Sequence, residues 1–215
     1  AVHRSGLRLG LCCEELRGDR ELVLAALDAS GGLVLRFAAE ALRGDREVVL
    51  AAVERAGAAL EFAAEELRGD VEVVRTALKQ DESALQFASR ELRGDRQFML
   101  ALVRERPRLL EFAAKELQQD REVTLAALAE DGCALQFAAA SLRGDQEVVL
   151  AAMRHTSMAL RFATERPVLY VLRRDARALR FVAEELRRER RLVLAATKQD
   201  GEMLEFAAEE LRGDQ

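Results

Sequence analysis

A repeat of about 25 residues runs through almost the whole chain and constrains its fold more than any other feature. The phrase Leu-Arg-Gly-Asp occurs six times, ending at Asp19, Asp45, Asp70, Asp95, Asp145 and Asp214. Related phrases end at Asp120 and Glu189. The spacing between successive copies is nearly constant up to Asp145, and the step from there to Glu189 is much longer. A fixed period of this length predicts stacked supersecondary units, in which each copy covers the apolar face of its neighbour.

Two apolar columns support the same register. Every copy has a leucine at one position, and almost every copy has a phenylalanine two residues later. The leucines are Leu9, Leu35, Leu60, Leu85, Leu110, Leu135, Leu160, Leu179 and Leu204, and the phenylalanines are Phe37, Phe62, Phe87, Phe112, Phe137, Phe162, Phe181 and Phe206. We expect both columns to be buried between stacked copies, because isolated helices of this length are unstable in water.

Each copy reads as two helices of roughly ten residues, for example over 58–67 and over 71–80. The glycine of the Arg-Gly-Asp step is predicted to end the first helix in a left-handed conformation, so Gln119 and Arg188 are expected either to adopt it at a cost of about 1 kcal/mol or to reshape the turn. The aspartate that follows is predicted to cap the second helix. The fold class is therefore all-α, an α-solenoid of tandem two-helix repeats of about 25 residues each.

A single repeat array is expected over the whole chain, residues 1–215, with about eight and a half helix pairs. One copy, near 163–181, is six residues short where its Leu-Arg-Gly-Asp turn should fall. The chain begins and ends inside a repeat pattern, so we expect it to be part of a longer array.

The repeat unit resembles a known family. Its Leu-x-Phe step, its Glu-Leu-Arg-Gly-Asp turn and its Val-Leu-Ala-Ala helix are similar to the repeats of domain of unknown function 4116. The resemblance extends from Leu7 to Gln215. It implies a scaffold or interaction role and no established activity, and it brings no catalytic residues to this sequence.

Composition excludes several functional classes. The chain is half apolar and one third charged, with a net charge of −5, and it contains no apolar stretch long enough to span a membrane. Cys12 and Cys13 replace small alanines and are expected to be buried, while Cys133 has no cysteine or histidine at ligand spacing. We therefore expect no enzyme activity, no metal and no cofactor. We expect a monomer in an intracellular, cytoplasmic setting, because cysteines are few and no targeting segment is visible.

The Arg-Gly-Asp tripeptides also invite an interpretation as adhesive ligands. That function needs an aspartate carboxylate projecting freely from a loop, whereas here the carboxylate is predicted to be occupied as a helix cap. We therefore favour the structural interpretation.

The positions of the charged residues are the feature of the sequence that a scaffold role explains least. Residues 161–191 contain ten arginines and five acidic residues, whereas the chain as a whole is acidic. Guanidinium groups suit phosphate or carboxylate partners. The candidate partner-binding residues are Arg161, Arg173, Arg174, Arg177, Arg180, Arg187 and Arg188. The acidic balance and the single tyrosine, Tyr170, argue against a general nucleic-acid surface.

Positions that differ between copies and face solvent are the other candidates for recognition. One such column lies between the recurring leucine and phenylalanine: Arg36, Glu61, Gln86, Glu111, Gln136, Arg161, Arg180 and Glu205. The second lies at the end of the second helix: Arg55, Gln80, Glu105, Glu130, His155, Arg174 and Gln199. The sequence thus predicts a non-catalytic scaffold for an unknown protein partner. The alternatives are phosphate or nucleic-acid binding through 161–191, and a mechanical spacer without a ligand.

Overall fold

Most copies fold into three helical segments rather than two in the computed structural model, which describes residues 9–213. In one copy, a six-residue 3-10 segment (Gly57–Phe62) precedes a short α-helix (Glu65–Arg68) and a longer α-helix (Val71–Gln80). We call these the 3-10 segment, the short helix and the long helix. The two alanines between the first two segments are extended, with φ/ψ of −70°/153° and −59°/153°. The predicted continuous helix over 58–67 is therefore wrong.

A hydrogen bond between copies accounts for this break. The backbone N–H of Ala64 donates to the carbonyl oxygen of Arg43, the last residue of the preceding short helix, at 2.9 Å. The same bond recurs from Ala39 to Arg17, Ser89 to Arg68, Ala139 to Gln118, Thr164 to Arg143 and Ala208 to Arg187. Because this N–H bonds to a neighbouring copy, it is not available to a continuous helix, and the chain turns at this point.

The three kinds of segment recur along the described chain. The 3-10 segments are Gly32–Phe37, Gly57–Phe62, Glu82–Phe87, Pro107–Phe112, Gly132–Phe137, Ser157–Phe162, Ala176–Phe181 and Gly201–Phe206. The short helices are Glu14–Arg17, Glu40–Arg43, Glu65–Arg68, Arg90–Arg93, Lys115–Gln118, Ala140–Arg143 and Glu209–Arg212, with a 3-10 turn at Leu186–Arg188. The long helices are Arg20–Ser30, Arg46–Arg55, Val71–Gln80, Arg96–Glu105, Arg121–Leu128, Gln146–Met153, Glu165–Leu172 and Arg190–Thr197.

The chain forms two compact units, one ending at Asp95 and the other beginning at Arg96. In the first unit, the long helices pack side by side in chain order, and so do the 3-10 segments. The second unit repeats this arrangement in its own row of long helices and its own row of 3-10 segments. Residues 9–213 contain no strand, so the predicted all-α fold of tandem repeats is confirmed.

The core lies between these two rows. The recurring leucine is fully buried in the inner copies, for example at Leu60 and Leu135, both 0% exposed. The long helices bury adjacent pairs such as Val73 and Val74, which lets one helix pack against neighbours on both sides. These positions agree with the predicted apolar faces.

The phenylalanine column is only half-buried, which corrects the expectation that it lies in the core. Each phenylalanine is the last residue of its 3-10 segment, directly before the extended link, as Phe62 is before Ala63. The chain turns away at that point, so one edge of the ring stays in contact with solvent.

The glycine of the Arg-Gly-Asp step is not left-handed. Gly69 has φ −94° and ψ −7°, and Gln119 takes nearly the same conformation with φ −94° and ψ −11°. The left-handed turn is therefore wrong, and the cost of that conformation does not arise at Gln119, which adds a right-handed turn to the short helix. Among the described residues, Gly31 alone has a positive φ, 89°, at the one-residue insertion.

The first glycine of the 3-10 segment has a clearer requirement. A Cβ atom on Gly57 would lie 2.6 Å from the carbonyl oxygen of Ala77, in the long helix of the same copy. At Gly132 the corresponding distance, to Ala152, would be 2.2 Å. The backbone of the 3-10 segment therefore approaches the long helix too closely for a side chain at these two positions.

The shortened copy lacks its short helix. The long helix Glu165–Leu172 begins shortly after the segment Ser157–Phe162, and Pro167 lies in its first turn. This helix still packs against the long helices on both sides. The six missing residues thus remove one segment and leave both rows of the unit in place.

The predicted aspartate caps are confirmed at Asp19, Asp45, Asp70, Asp120 and Asp145, whereas Asp214 lies outside the described residues. Asp45 Oδ1 accepts hydrogen bonds from the N–H groups of Glu47 and Val48 at 2.9 and 3.1 Å, and Asp145 binds the equivalent groups at 2.9 and 3.0 Å. A second set of caps, not predicted from the sequence, opens the 3-10 segments. There Asp81, Asp131, Thr156, Asp175 and Asp200 accept the N–H two positions later. The sequence pattern that marks these caps is an aspartate or threonine six positions before the recurring phenylalanine.

Candidate partner-binding surface

Each 3-10 segment presents one exposed face. Its fifth residue, which lies between the recurring leucine and phenylalanine, is exposed in all eight described segments. This position is the first variable column named above, so its predicted exposure is confirmed. Because a 3-10 helix has three residues per turn, the second residue lies on the same face as the fifth. The second variable column, at the ends of the long helices, is also exposed throughout.

Five of the predicted arginines lie on or next to two neighbouring 3-10 segments of the second unit. Arg177 and Arg180 are the second and fifth residues of the segment Ala176–Phe181, and both are exposed. Arg173 and Arg174 lie just before this segment, at the end of the long helix Glu165–Leu172. Arg161 is the fifth residue of the segment Ser157–Phe162, which packs against Ala176–Phe181.

Two further basic residues, Arg154 and Lys198, join this group from outside the sequence window 161–191. Both are exposed, and both lie where Arg173 lies in its own copy, directly after a long helix. Stacking of the long helices brings these ends to one edge of the unit. We call the set Arg154, Arg161, Arg173, Arg174, Arg177, Arg180 and Lys198 the arginine band.

The cations of the arginine band are not neutralised within the described chain. No carboxylate of residues 9–213 forms an ion pair with any of the band's seven side chains. Two of the guanidinium groups lie over aromatic rings instead: Arg174 is 4.2 Å from the ring centre of Tyr170, and Arg180 is 5.1 Å from that of Phe181. These contacts hold the two side chains against the surface.

Arg187 and Arg188 lie elsewhere. They belong to the turn Leu186–Arg188, and Arg187 is half-buried with its Nη1 3.3 Å from the carbonyl oxygen of Phe206. Arg188 is 3.9 Å from Glu184. Arg187 and Arg188 thus lie apart from the other five arginines, because the chain turns away at the extended residue Val182 after the segment Ala176–Phe181.

A different set of arginines links successive copies, a role that was not predicted from the sequence. Arg121 binds Asp145 at 2.7 Å and Glu147 at 2.5 Å. Arg96 makes the same pair of contacts with Asp120 and Glu122. In the first unit, Arg20 contacts Asp45 and Glu47, and Arg46 contacts Asp70 and Glu72. We call each of these groups a clamp. The sequence pattern that marks the clamps is the Asp-Arg-Glu triplet, or a close variant of it, which recurs from copy to copy.

The clamps and caps shift several pKa values. The backbone N–H of Val148 donates the hydrogen bond that lowers the pKa of Asp145 most, and the side chain of Arg121 lowers it further, against the opposing effect of burial. The pKa values of Asp45 and Asp70 are lowered in the same way. These aspartates are therefore occupied as caps and clamps, as the structural interpretation of Arg-Gly-Asp requires.

The cysteines only partly match expectation. Cys12 is half-buried, but Cys13 is exposed because it precedes the short helix Glu14–Arg17 at a position that is also partly exposed in other copies. Cys133 is half-buried, and burial together with the Asp131 carboxylate raises the pKa of its thiol. This environment keeps Cys133 protonated and unreactive near neutral pH.

The described residues offer few other sites. No group of three or more histidine, cysteine, aspartate or glutamate side chains among residues 9–213 is placed to hold a metal ion. The missing short helix leaves a polar hollow of about 580 Å³, lined partly by Asp145, Glu147 and Arg166. Arg121 already engages both of these carboxylates. Within the same residues, no helix has the length and apolar character needed to cross a lipid bilayer.

Comparison with known proteins gives a family and no activity. The model of the family described as "Domain of unknown function (DUF4116)" matches four consecutive segments, 19–68, 70–118, 120–166 and 168–212. Each matched segment spans two of the copies described above. No curated protein and no solved structure matches the chain. Because the matches cover most of its length, the chain belongs to the DUF4116 family.

Proposed function

We propose that this chain is a non-catalytic scaffold that binds protein partners through the exposed face of its 3-10 segments. The supporting observation is that two adjacent positions of the 3-10 segment differ in burial and in variability. The fourth residue is a leucine in every copy, buried in nearly all of them, whereas the fifth is exposed in every described segment and differs in charge. A constant buried frame that carries a variable exposed row is the arrangement that repeat proteins use for recognition.

The chemistry of the reactive groups supports the non-catalytic part of the proposal. Three aspartates of the Arg-Gly-Asp steps, Asp45, Asp70 and Asp145, form both caps and clamps, and the Cys133 thiol is held protonated. The cysteines at 12, 13 and 133 are free thiols, which supports a reducing, intracellular location such as the cytoplasm. We also propose that the chain acts as a monomer.

Affinity capture from lysate with a matched pair of variants tests the scaffold function. Glu111→Lys with Gln136→Lys changes the exposed row outside the arginine band. Glu66→Lys with Gln97→Lys adds the same charge at exposed positions on a short and a long helix. A protein that the first variant loses and the second retains supports the scaffold. Proteins captured equally by both variants, or none at all, would contradict it and favour a mechanical spacer.

Binding of phosphate groups or nucleic acid is the second candidate, and the unpaired cations of the arginine band favour it. Such binding releases counterions, so it weakens steeply between about 50 and about 200 mM salt. Capture that disappears after nuclease treatment, or over this salt range, would support this candidate over the protein scaffold.

A further inference from the structure

The arginine band concentrates positive charge on one part of an acidic chain. Arg161, Arg177 and Arg180 occupy two adjacent 3-10 segments, and Arg173 and Arg174 lie just before the second of these, at the end of a long helix. In the same unit, the clamps pair Arg96 and Arg121 with carboxylates, whereas the arginines of the band have no such partner among the described residues. Like charges held close together without partners repel one another, so an anionic ligand would relieve this repulsion and form charge-assisted hydrogen bonds.

The surroundings of the band limit the length of such a ligand. On one side, the packed segment Gly201–Phe206 presents Glu202 and Glu205 at its second and fifth positions. On the other side, the segment Gly132–Phe137 presents the uncharged Cys133 and Gln136 at these positions. The positive surface of the 3-10 row is thus two segments wide, and a long polyanion crossing it would meet carboxylates.

An apolar side chain lies inside the positive surface. Met158 is the second residue of its 3-10 segment and is 44% exposed, on the same face as Arg161 and next to the segment that carries Arg177. The half-buried rings of Phe162 and Phe181 end these two segments. A methionine among arginines suits a ligand that carries both carboxylates and an apolar side chain. A phosphodiester backbone would gain nothing from it.

The spacing of the arginines also suits a peptide. Residues three apart in a 3-10 helix are separated by roughly 6 Å along its axis, which applies to Arg177 and Arg180. Side chains two apart on one face of an extended peptide are separated by about 6.6 Å. An extended acidic peptide can therefore place successive same-face carboxylates opposite these two guanidinium groups.

We infer that the arginine band, with Met158 on the same face as Arg161, binds a short acidic protein segment that contains an apolar residue. This inference rests on the proposed scaffold function and specifies the chemistry of one partner. The band supplies the charge, Met158 supplies an apolar contact, and Glu202 and Glu205 oppose extension of a polyanion on their side of the band.

Fluorescence anisotropy with the full chain tests the inference. The probe is a labelled dodecapeptide of four Asp-Glu-Leu units, compared with the neutral peptide of four Asn-Gln-Leu units and with a thymidine dodecamer. The test variant is Arg177→Gln with Arg180→Gln. The control variant, Arg188→Gln with Arg190→Gln, makes the same charge change in the same sequence window but outside the band. Circular dichroism and thermal unfolding check that both variants fold.

We expect the acidic peptide to bind and the neutral peptide not to bind. We expect the test variant to weaken binding of the acidic peptide about ten-fold and the control about two-fold or less, because only the test variant removes contacts of the band. Met158→Ala should also weaken binding, and it leaves the charge unchanged.

Three results would overturn the inference: no binding of the acidic peptide, equal weakening by both double variants, or tighter binding of the thymidine dodecamer that the test variant abolishes. The last result would support nucleic acid as the ligand. The scaffold function is tested separately, since its capture variants at Glu111 and Gln136 lie outside the band. A partner lost with those variants would uphold the scaffold even if the acidic peptide failed to bind.

Discussion

The guanidinium group of Arg121 contacts the carboxylate of Asp145, in the next copy of the repeat, at 2.7 Å while that carboxylate caps the next long helix. One aspartate therefore serves two copies. It satisfies backbone N–H groups at the start of its own helix and holds the arginine that begins the preceding long helix.

Removal of this arginine should weaken the second unit modestly. Arg121→Ala should lower the free energy of unfolding by about 1 kcal/mol, because exposed ion pairs contribute about 0.2–1 kcal/mol each and two are lost. Urea denaturation measures the change, which should shrink at high salt. Gln146→Ala is the control, since Gln146 occupies the equivalent position one copy later and carries no charge. Equal losses in the two variants would show that the clamp contributes nothing.

The two glycine positions should respond oppositely to alanine. Gly57→Ala should destabilise the protein by about 1–3 kcal/mol, because the new Cβ would lie 2.6 Å from the Ala77 carbonyl oxygen. Gly44→Ala should be neutral or stabilising by up to about 1 kcal/mol, because Gly44 is right-handed and the atom nearest to its new Cβ would be 3.5 Å away. Thermal unfolding of the two variants distinguishes these outcomes, and similar losses in both would contradict the close approach at Gly57.

Truncation of the recurring leucine should lower the free energy of unfolding more than truncation of the recurring phenylalanine. Leu135→Ala should cost about 2–5 kcal/mol, because Leu135 is completely buried and its removal leaves a cavity. Phe137→Ala should cost less, about 1–2 kcal/mol, because the half-buried ring loses a smaller contact area. Urea midpoints give the order of the two variants. A larger loss for Phe137 would contradict the observed burial.

Leu135→Ala should also act locally. In an array of nearest-neighbour contacts, amide hydrogen exchange should accelerate first in the segment Gly132–Phe137 and the helices beside it. Uniform acceleration throughout the second unit would instead show that the unit unfolds as a single cooperative block.

Acid should weaken the caps and clamps. The pKa values of Asp45, Asp70 and Asp145 lie below the ordinary value of 3.8 in the folded protein. An unfolded chain therefore binds more protons in this range, so the stabilisation is complete above pH 3.8 and is lost as the pH falls through the lowered values. The triple variant with asparagine at these positions keeps the caps and cannot titrate there. In urea titrations, the free energy of unfolding of this variant should fall less between about pH 5 and about pH 2 than that of the unchanged protein. An equal fall in both proteins would contradict the role assigned to the three aspartates.

The repeat period, the buried leucines and the aspartate caps were predictable because each follows from local pattern. The break at Ala63 and Ala64 was not. Alanine is the best helix former, and nothing in the local sequence marks these residues as extended. Their conformation depends on the bond from the Ala64 N–H to Arg43 in another copy, which only the folded array provides.

The candidate surface shows the same limit. The composition of 161–191 drew attention to the arginines there, but a sequence window cannot tell which of them share a face. The fold places Arg187 against the Phe206 carbonyl oxygen and brings Arg154 and Lys198 beside Arg173 through stacking. Contacts between one copy and the next therefore define the surface, and these join positions that are far apart in the sequence.

The shortened copy shows which part of the repeat is dispensable. Its two rows remain packed although only Ala163 and Thr164 connect the 3-10 segment to the long helix, where other copies use a longer connection, as in 138–145. This connection is therefore a natural point for insertion and deletion. A protein built from such copies can change the length and sequence of the connecting segments, and with them the surface that it presents, while its frame stays constant.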